Sequence, residues 1–289
     1  MNDAEQTGQG PQTWKLTLAY DGTDYHGWQV QPGLPTIQGE LQDALGRVTG
    51  ETPLPQGSGR TDAGVHALGQ VASFALRAPI PPENLVRAVN RTLPRAIRIM
   101  DARIMPATFH ARHATVAKTY EYRVLLDPLG AWNGCSPFVA RYVYAFPWKM
   151  DREALHGAAR CFEGEHDFTS FAATDPDLAA RSRPADDMDD EDSGAGGAVR
   201  TVFNSEWHES EAEKGTLLVY RVRGNGFLHH MVRNLVGTMI DAGRGQLRVE
   251  DIPGILAARS RPLAGPTAPA RGLFLHSVEY GPEFDGRSG

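Results

Sequence analysis

Cysteine is nearly absent from this chain of 289 residues. Cys135 and Cys161 cannot make a disulfide framework, and neither sits in a CxxC pair or beside a histidine at metal-ligand spacing. There is also no run of about eighteen apolar residues, so no membrane-spanning helix is expected. The opening MNDAEQTGQGPQ lacks the basic start and apolar stretch of a secretory signal. These absences point to a cytoplasmic protein with reduced thiols. Nucleotide-binding loops are missing as well: there is no GxxxxGK[ST], and in the glycine-rich stretch GSGRTDAGVHALGQ the third glycine of a GxGxxG is replaced by Asp62.

Positive charge is short overall, with 29 Lys and Arg against 35 Asp and Glu. That balance disfavours a nucleic-acid binder, because phosphate affinity comes from cations. The deficit is local, however. DDMDDED, residues 186–192, holds six acids and no base, and without it the chain carries 29 charges of each sign. The cations are mostly arginine, among them Arg60, Arg87, Arg91, Arg95, Arg98, Arg103, Arg112, Arg123 and Arg233, the residue type suited to phosphate and to stacking. Such a surface permits RNA binding without proving it.

Read for periodicity, residues 1–12 are a polar tail expected to be disordered, and structure starts near Trp14. WKLTLAY alternates like a strand. TIQGELQDALGRVTG places Ile37, Leu41, Leu45 and Val48 on one helical face between a Thr36 N-cap and Gly50. GQVASFALR, a helix over PPENLVRAVNRTL and a strand over AIRIMDARI follow. The second half is a similar series of strands and helices. Strand KTYEYRVLL precedes helix DREALHGAARCFEGEH, a hairpin of RTVFNSEWHES and GTLLVYRVRG, helix FLHHMVRNLVGTMIDAG ending at Gly243, and strand GLFLHSVEY. This predicts an α+β fold of two similar α/β halves, with mainly antiparallel sheets meeting around a central cleft. The halves are residues 13–117 and 118–281, with a C-terminal tail over 282–289. Residues 175–199, acidic and nearly free of large apolar side chains, read as a mobile insertion.

Taken alone, Asp62 before Ala63 and Gly64 is a turn residue. In context, GRTDAGVHALGQ resembles the catalytic motif of the transfer RNA pseudouridine synthase A family. YDGTDYHGWQ, FHARHATVAKTYEYRV, GNGFLHHMVRNLVGTM and AGPTAPARGLFLHSVEY resemble the family's pattern in the same order, so the likeness extends from about Trp14 to Tyr280. The acidic insertion falls outside all these segments.

The resemblance implies an isomerase that breaks the bond from uracil N1 to ribose C1′, turns the base and rejoins it through C5. It implies action on uridines 38, 39 and 40 of the tRNA anticodon stem-loop by a homodimer that contacts tRNA with both subunits. The chemistry asks for a carboxylate as nucleophile or base, and for no metal, nucleotide or redox cofactor. A uridine stacked in RNA must also be flipped into a pocket.

Carried over residue by residue, Asp62 resembles the catalytic aspartate and Arg60 its basic partner, able to keep a carboxylate ionised or to meet a phosphate. Tyr120 resembles the aromatic that stacks on the target base. The structural alternative is a core pair, since Tyr120 and Tyr122 point the same way on an alternating strand, and Tyr122 is read as core. Arg233 resembles the second active-site arginine. In the helical register, His229, Arg233 and Gly237 fall at i, i+4 and i+8, with Gly237 small enough for another backbone to approach. Zinc at His229 and His230 is disfavoured, because adjacent helical residues diverge by about 100° and there is no HExxH. His110, Arg112 and Lys118 are a basic set for phosphates, with an ordinary strand edge as the alternative. His66 is read as a hydrogen-bonded packing residue.

Two rivals differ in class. A non-catalytic RNA-binding module of the same fold would have no need of the intact set Arg60, Asp62, Tyr120 and Arg233. A metal-dependent phosphotransferase would need further carboxylates at ligand positions.

Overall fold

The computed structural model describes residues 10–126, 135–173, 197–212 and 215–285. Most of the expected N-terminal tail and of the acidic insertion lies outside the described residues. The chain folds as two compact units, one built from residues up to Val116 together with those from Leu275 on, the other from Ala117–Phe274.

In the first unit β1 (Gln12–Tyr20) is the middle strand, antiparallel both to β3 (His66–Leu76) and to β4 (Ile97–Met105). Its alternation buries Trp14, Leu16, Leu18 and Tyr20 on one face. Two-residue β2 (Gln56–Gly57) adds to β3. Helix α1 (Ile37–Thr49) buries Ile37, Leu41 and Leu45, starts at Thr36, whose hydroxyl accepts from Gly39 N–H at 3.3 Å, and stops at Gly50 with φ 74°. Helix α2 (Pro82–Thr92) has proline in its first turn and buries Leu85 and Val89. Apart from the two-residue β2, the sequence predicted these elements.

The boundary of the second half differs from the expected 118–281. Strand β10 (Leu273–Tyr280) lies beside β3, so residues from Leu275 on return to the first unit. There Tyr280 packs edge-on against Phe109 and donates to the Ala111 carbonyl at 2.8 Å. The expected tail from 282 opens instead with a short helix, Pro282–Asp285, because Phe284 finds the ring of Phe109 at 5.2 Å.

In the second unit β5 (Thr115–Leu126), β9 (Thr216–Gly224), β8 (Val199–Glu211) and β7 (Gly164–Asp167) pair antiparallel in that order, and β6 (Tyr144–Phe146) runs parallel to β5. Helix α3 (Arg152–Arg160) is shorter than expected. Gly164 takes φ 101° and turns GEHD into β7. Helix α4 (Met231–Gly243) is buried along most of its length, and α5 (Ile252–Ala258) follows it. Helix α4 starts four residues later than its periodicity suggested, because His230 takes the left-handed φ of 59°. It also runs through Gly243, with Arg244 as its cap and Gly245 as the left-handed residue. Among the described residues no helix is long and apolar enough to cross a membrane.

Candidate active site

In the first unit, Asp62 stands on a loop clamped between two glycine-dependent contacts. A β-carbon on Gly27, whose φ is 86°, would lie 2.4 Å from the Thr61 carbonyl oxygen, and one on Gly22 would lie 2.0 Å from that of Val65. Segment 22–28 can therefore lie directly on segment 61–65 only with glycine at both places. Backbone bonds fasten the two together: Trp28 N–H donates to Thr61 O at 3.0 Å and Gly64 N–H to Tyr25 O at 3.2 Å. Asp62 itself opens a tight turn closed by Val65 N–H donating to its carbonyl at 3.1 Å, with Gly64 at φ 76° in the third position. Gly64 thus serves turn geometry, as the bland reading of Asp62 required, while Gly22 and Gly27 allow the close approach, and Asp62 is left half-buried. Arg60, two residues earlier, is exposed.

His66 is fully buried, as expected of a packing residue. Its Nδ1 accepts from Gly22 N–H at 3.1 Å and lies 3.2 Å from an Asp21 carboxylate oxygen; that oxygen accepts from the Thr23 N–H and hydroxyl. The YDGT segment is thus fixed to the residue that follows the Asp62 turn.

In the second unit, Tyr120 and Tyr122 project from the same face of β5 and both are buried. Tyr122 is a core residue, its hydroxyl donating to Pro269 O at 2.8 Å. Burial pushes that phenol well above its ordinary range, against the opposing pull of the Arg233 charge. Tyr120 retains 8% exposure and meets the Phe227 ring edge-on at 5.1 Å.

Arg233 lies in the first turn of α4. Its Nε donates to Ala268 O at 2.7 Å and its own carbonyl accepts from Ala268 N–H at 3.1 Å. The AGPTAPA segment that carries Ala268 crosses the helix where the sequence allowed for it, over Gly237. Asn234, fully buried, donates to Phe171 O at 2.6 Å and accepts from the Thr267 hydroxyl and Arg261, at 2.7 and 3.0 Å. Thr238 accepts from Gly265 N–H at 2.9 Å. Sequence reasoning missed Asn234, Thr238 and Arg261. The available signal was an asparagine and a threonine on a helix that is otherwise mostly apolar and buried.

Two expectations need correction. His229 does not share a helical stripe with Arg233, because α4 begins after it. For the same reason His229 and His230 do not diverge by a helical step: their rings stack at 3.9 Å and 31°. Two adjacent imidazoles so placed can face one way. His110, Arg112 and Lys118 stand where the chain passes from the first unit to the second. The first two belong to the first unit, where His110 Nδ1 accepts from the N–H groups of Arg112 and His113, and Lys118 belongs to the second.

The family model for tRNA pseudouridine synthase matches residues 17–113 and 158–281. The chain belongs to this family. Its relatives include proteins named tRNA pseudouridine synthase A from Solibacter usitatus, 52% identical over 92% of this chain and 98% of the relative, and from Moorella thermoacetica, 44% identical over 92% and 98%. One from Methylacidiphilum infernorum is 40% identical over 93% and 96%. The segments that match the family model hold Arg60, Asp62, His110, Arg112, His229 and Arg233, while Lys118 and Tyr120 lie between them. The α+β class with mainly antiparallel pairing agrees with this membership.

Proposed function

We propose that this protein converts uridine to pseudouridine in tRNA, at positions 38, 39 and 40 of the anticodon stem-loop, with Asp62 as the catalytic carboxylate. The observation that carries the reading is the Asp62 loop. Its backbone is fastened to segment 22–28, which needs glycine at Gly22 and Gly27 to lie against it, and Asp62 is left half-buried. A loop with a fixed backbone leaves less to be ordered around the carboxylate at each turnover.

The reaction is an isomerisation. The N1–C1′ bond breaks, a C5–C1′ bond forms, the C5 proton leaves and N1 gains one, so electrons balance without a redox partner. Asp62 acts as nucleophile at the sugar or base, or as the base that takes a sugar proton, and each role needs it ionised. Arg60 supplies positive charge two residues away, Tyr120 offers an aromatic face to the flipped uracil, and Arg233 supplies a second cation. His110, Arg112, Lys118 and His229 are read as substrate contacts, the first three toward phosphate. No metal or organic cofactor enters. The protein is read as a cytoplasmic homodimer, with tRNA contacting both subunits.

Incubation with unmodified tRNA followed by carbodiimide mapping tests activity and position together. Pseudouridine is expected at positions 38 to 40. The Asp62→Asn variant keeps the shape of the side chain but not its charge, and it is expected to bind tRNA without forming product in single-turnover assays. Substantial product from that variant would remove Asp62 from its role, and tRNA binding without product from the parent protein would make this a binding module.

A further inference from the structure

Between Ser58 and Asp62 the chain is gripped from inside at both ends. Ser58 and Thr61 are buried, Arg60 is exposed and Asp62 is half-buried. The grip comes from two strands. Gln70 of β3, fully buried, accepts from the Ser58 hydroxyl at 2.7 Å and from Val71 N–H at 3.1 Å, and its amide donates to Gly59 O at 2.9 Å. Tyr20, the last residue of β1, places its hydroxyl 2.8 Å from that of Thr61 and 3.5 Å from the Gln70 amide nitrogen.

Thr61 is the link between the two functional neighbours. Its carbonyl is held by Trp28 N–H, so its side chain is a second handle on the peptide that leads into Asp62. Tyr20 is the group on that handle. Burial pushes its phenol up to about 12, so it stays a neutral hydroxyl at any working pH. At 4% exposure it is covered by the protein and acts through the loop.

Resting on the reading of Asp62 as the catalytic carboxylate, we infer that Tyr20 is a positioning residue for the reaction. Its hydrogen bond with Thr61 fixes where the Asp62 carboxylate stands. Loss of that bond leaves the loop in place through its backbone contacts but lets the carboxylate drift from the reacting atoms. A drift of this kind costs rate and leaves tRNA affinity unchanged.

The test measures two quantities on unmodified tRNA: the single-turnover rate of pseudouridine formation at saturating protein, and the dissociation constant by filter binding. The proteins are the parent, Tyr20→Phe, Thr61→Val, the double variant and Thr61→Ser, each assayed below its own melting transition. Tyr20→Phe and Thr61→Val are each expected to slow the rate about tenfold or more while affinity stays within about twofold. The double variant is expected to be no slower than the slower single one, because both cut the same bond. Thr61→Ser, which keeps the hydroxyl, is expected to lose less than Thr61→Val. If Tyr20→Phe fails to fold, Thr61→Val against Thr61→Ser reads the same bond from the other side. A parent-like rate in Tyr20→Phe, multiplied losses in the double variant, or a loss confined to affinity would overturn the inference while leaving Asp62 in its role. Absence of product from the parent protein would instead bring down the functional reading on which the inference rests.

Discussion

Gly237 and Pro266 approach so closely that a β-carbon on Gly237 would lie 1.6 Å from the Pro266 carbonyl oxygen. That contact seats the segment on which Ala268 holds Arg233. Gly237→Ala must therefore push the segment off the helix. A loss of about 1–3 kcal/mol in stability is expected, the usual range for overpacking. Activity should fall further than stability accounts for, because Arg233 loses its anchor. Gly254→Ala in α5, where nothing lies within 4 Å, serves as the control and should be neutral or stabilising by up to about 1 kcal/mol. Thermal melts of the two variants, compared with single-turnover rates, check both statements. Equal melting temperatures would show that the helix and the segment are not tightly seated.

Tyr120 separates stacking from hydroxyl chemistry. Phenylalanine keeps the ring that meets Phe227 and can face a base, whereas leucine keeps neither. The Phe variant should retain most of its rate, and the Leu variant should lose about 1–3 kcal/mol of transition-state stabilisation, the usual worth of base stacking on an aromatic. Single-turnover kinetics on tRNA decide it. Equal and severe losses in both would assign the work to the hydroxyl.

Glu121 gives the fold a pH dependence. Burial alone would raise its carboxyl, but the guanidiniums of Arg123 at 2.7 Å and Arg221 at 3.1 Å outweigh burial and hold it below the ordinary 4.5. A lowered folded-state value means that the ionised group contributes stability in full above about pH 4.5, and that this is lost as pH falls through the lower folded value. Arg221 is largely solvated, so the contribution is discounted to about 1 kcal/mol. In urea titrations the parent should exceed Glu121→Gln in stability at neutral pH, and the difference should close as the solution is acidified through the lowered folded-state value. A difference independent of pH would remove the ion pairs as its cause.

Cofactor independence is equally testable. The isomerisation balances without metal, so turnover should survive EDTA when the tRNA has been folded with magnesium beforehand. Loss in EDTA with recovery on zinc would count against the reading.

Much of the fold was legible because its signals are local. Thr36 and Gly50 bound α1, Pro82 opens α2, and β1 alternates, all within a few residues of chain. Gly237 was legible as a point of backbone approach from its place beside Arg233. The start of α4 was not, since nothing in the sequence marks His230 for a left-handed conformation. Nor was the burial of Glu121, because alternation places a charged residue between two core tyrosines on the solvated side, and only Arg123 and Arg221 together make it tolerable there. The grip on the Asp62 loop was invisible for a different reason. Tyr20 is 41 residues from Thr61 and 50 from Gln70, and no period connects them.

The return of β10 to the first unit bears on how the protein comes into being on the ribosome. Residues up to Val116 emerge early and contain nearly all of that unit, including the Asp62 loop, yet the strand that lies beside β3 is supplied only when Leu275–Tyr280 have been made. Through the synthesis of all the intervening residues, the nascent first unit presents an edge of β3 covered only by the two residues of β2, and it lacks Tyr280 from the cluster around Phe109. The half that carries the proposed catalytic carboxylate is therefore begun first and finished last, and its completion is a late, long-range closure that waits on the other unit's translation.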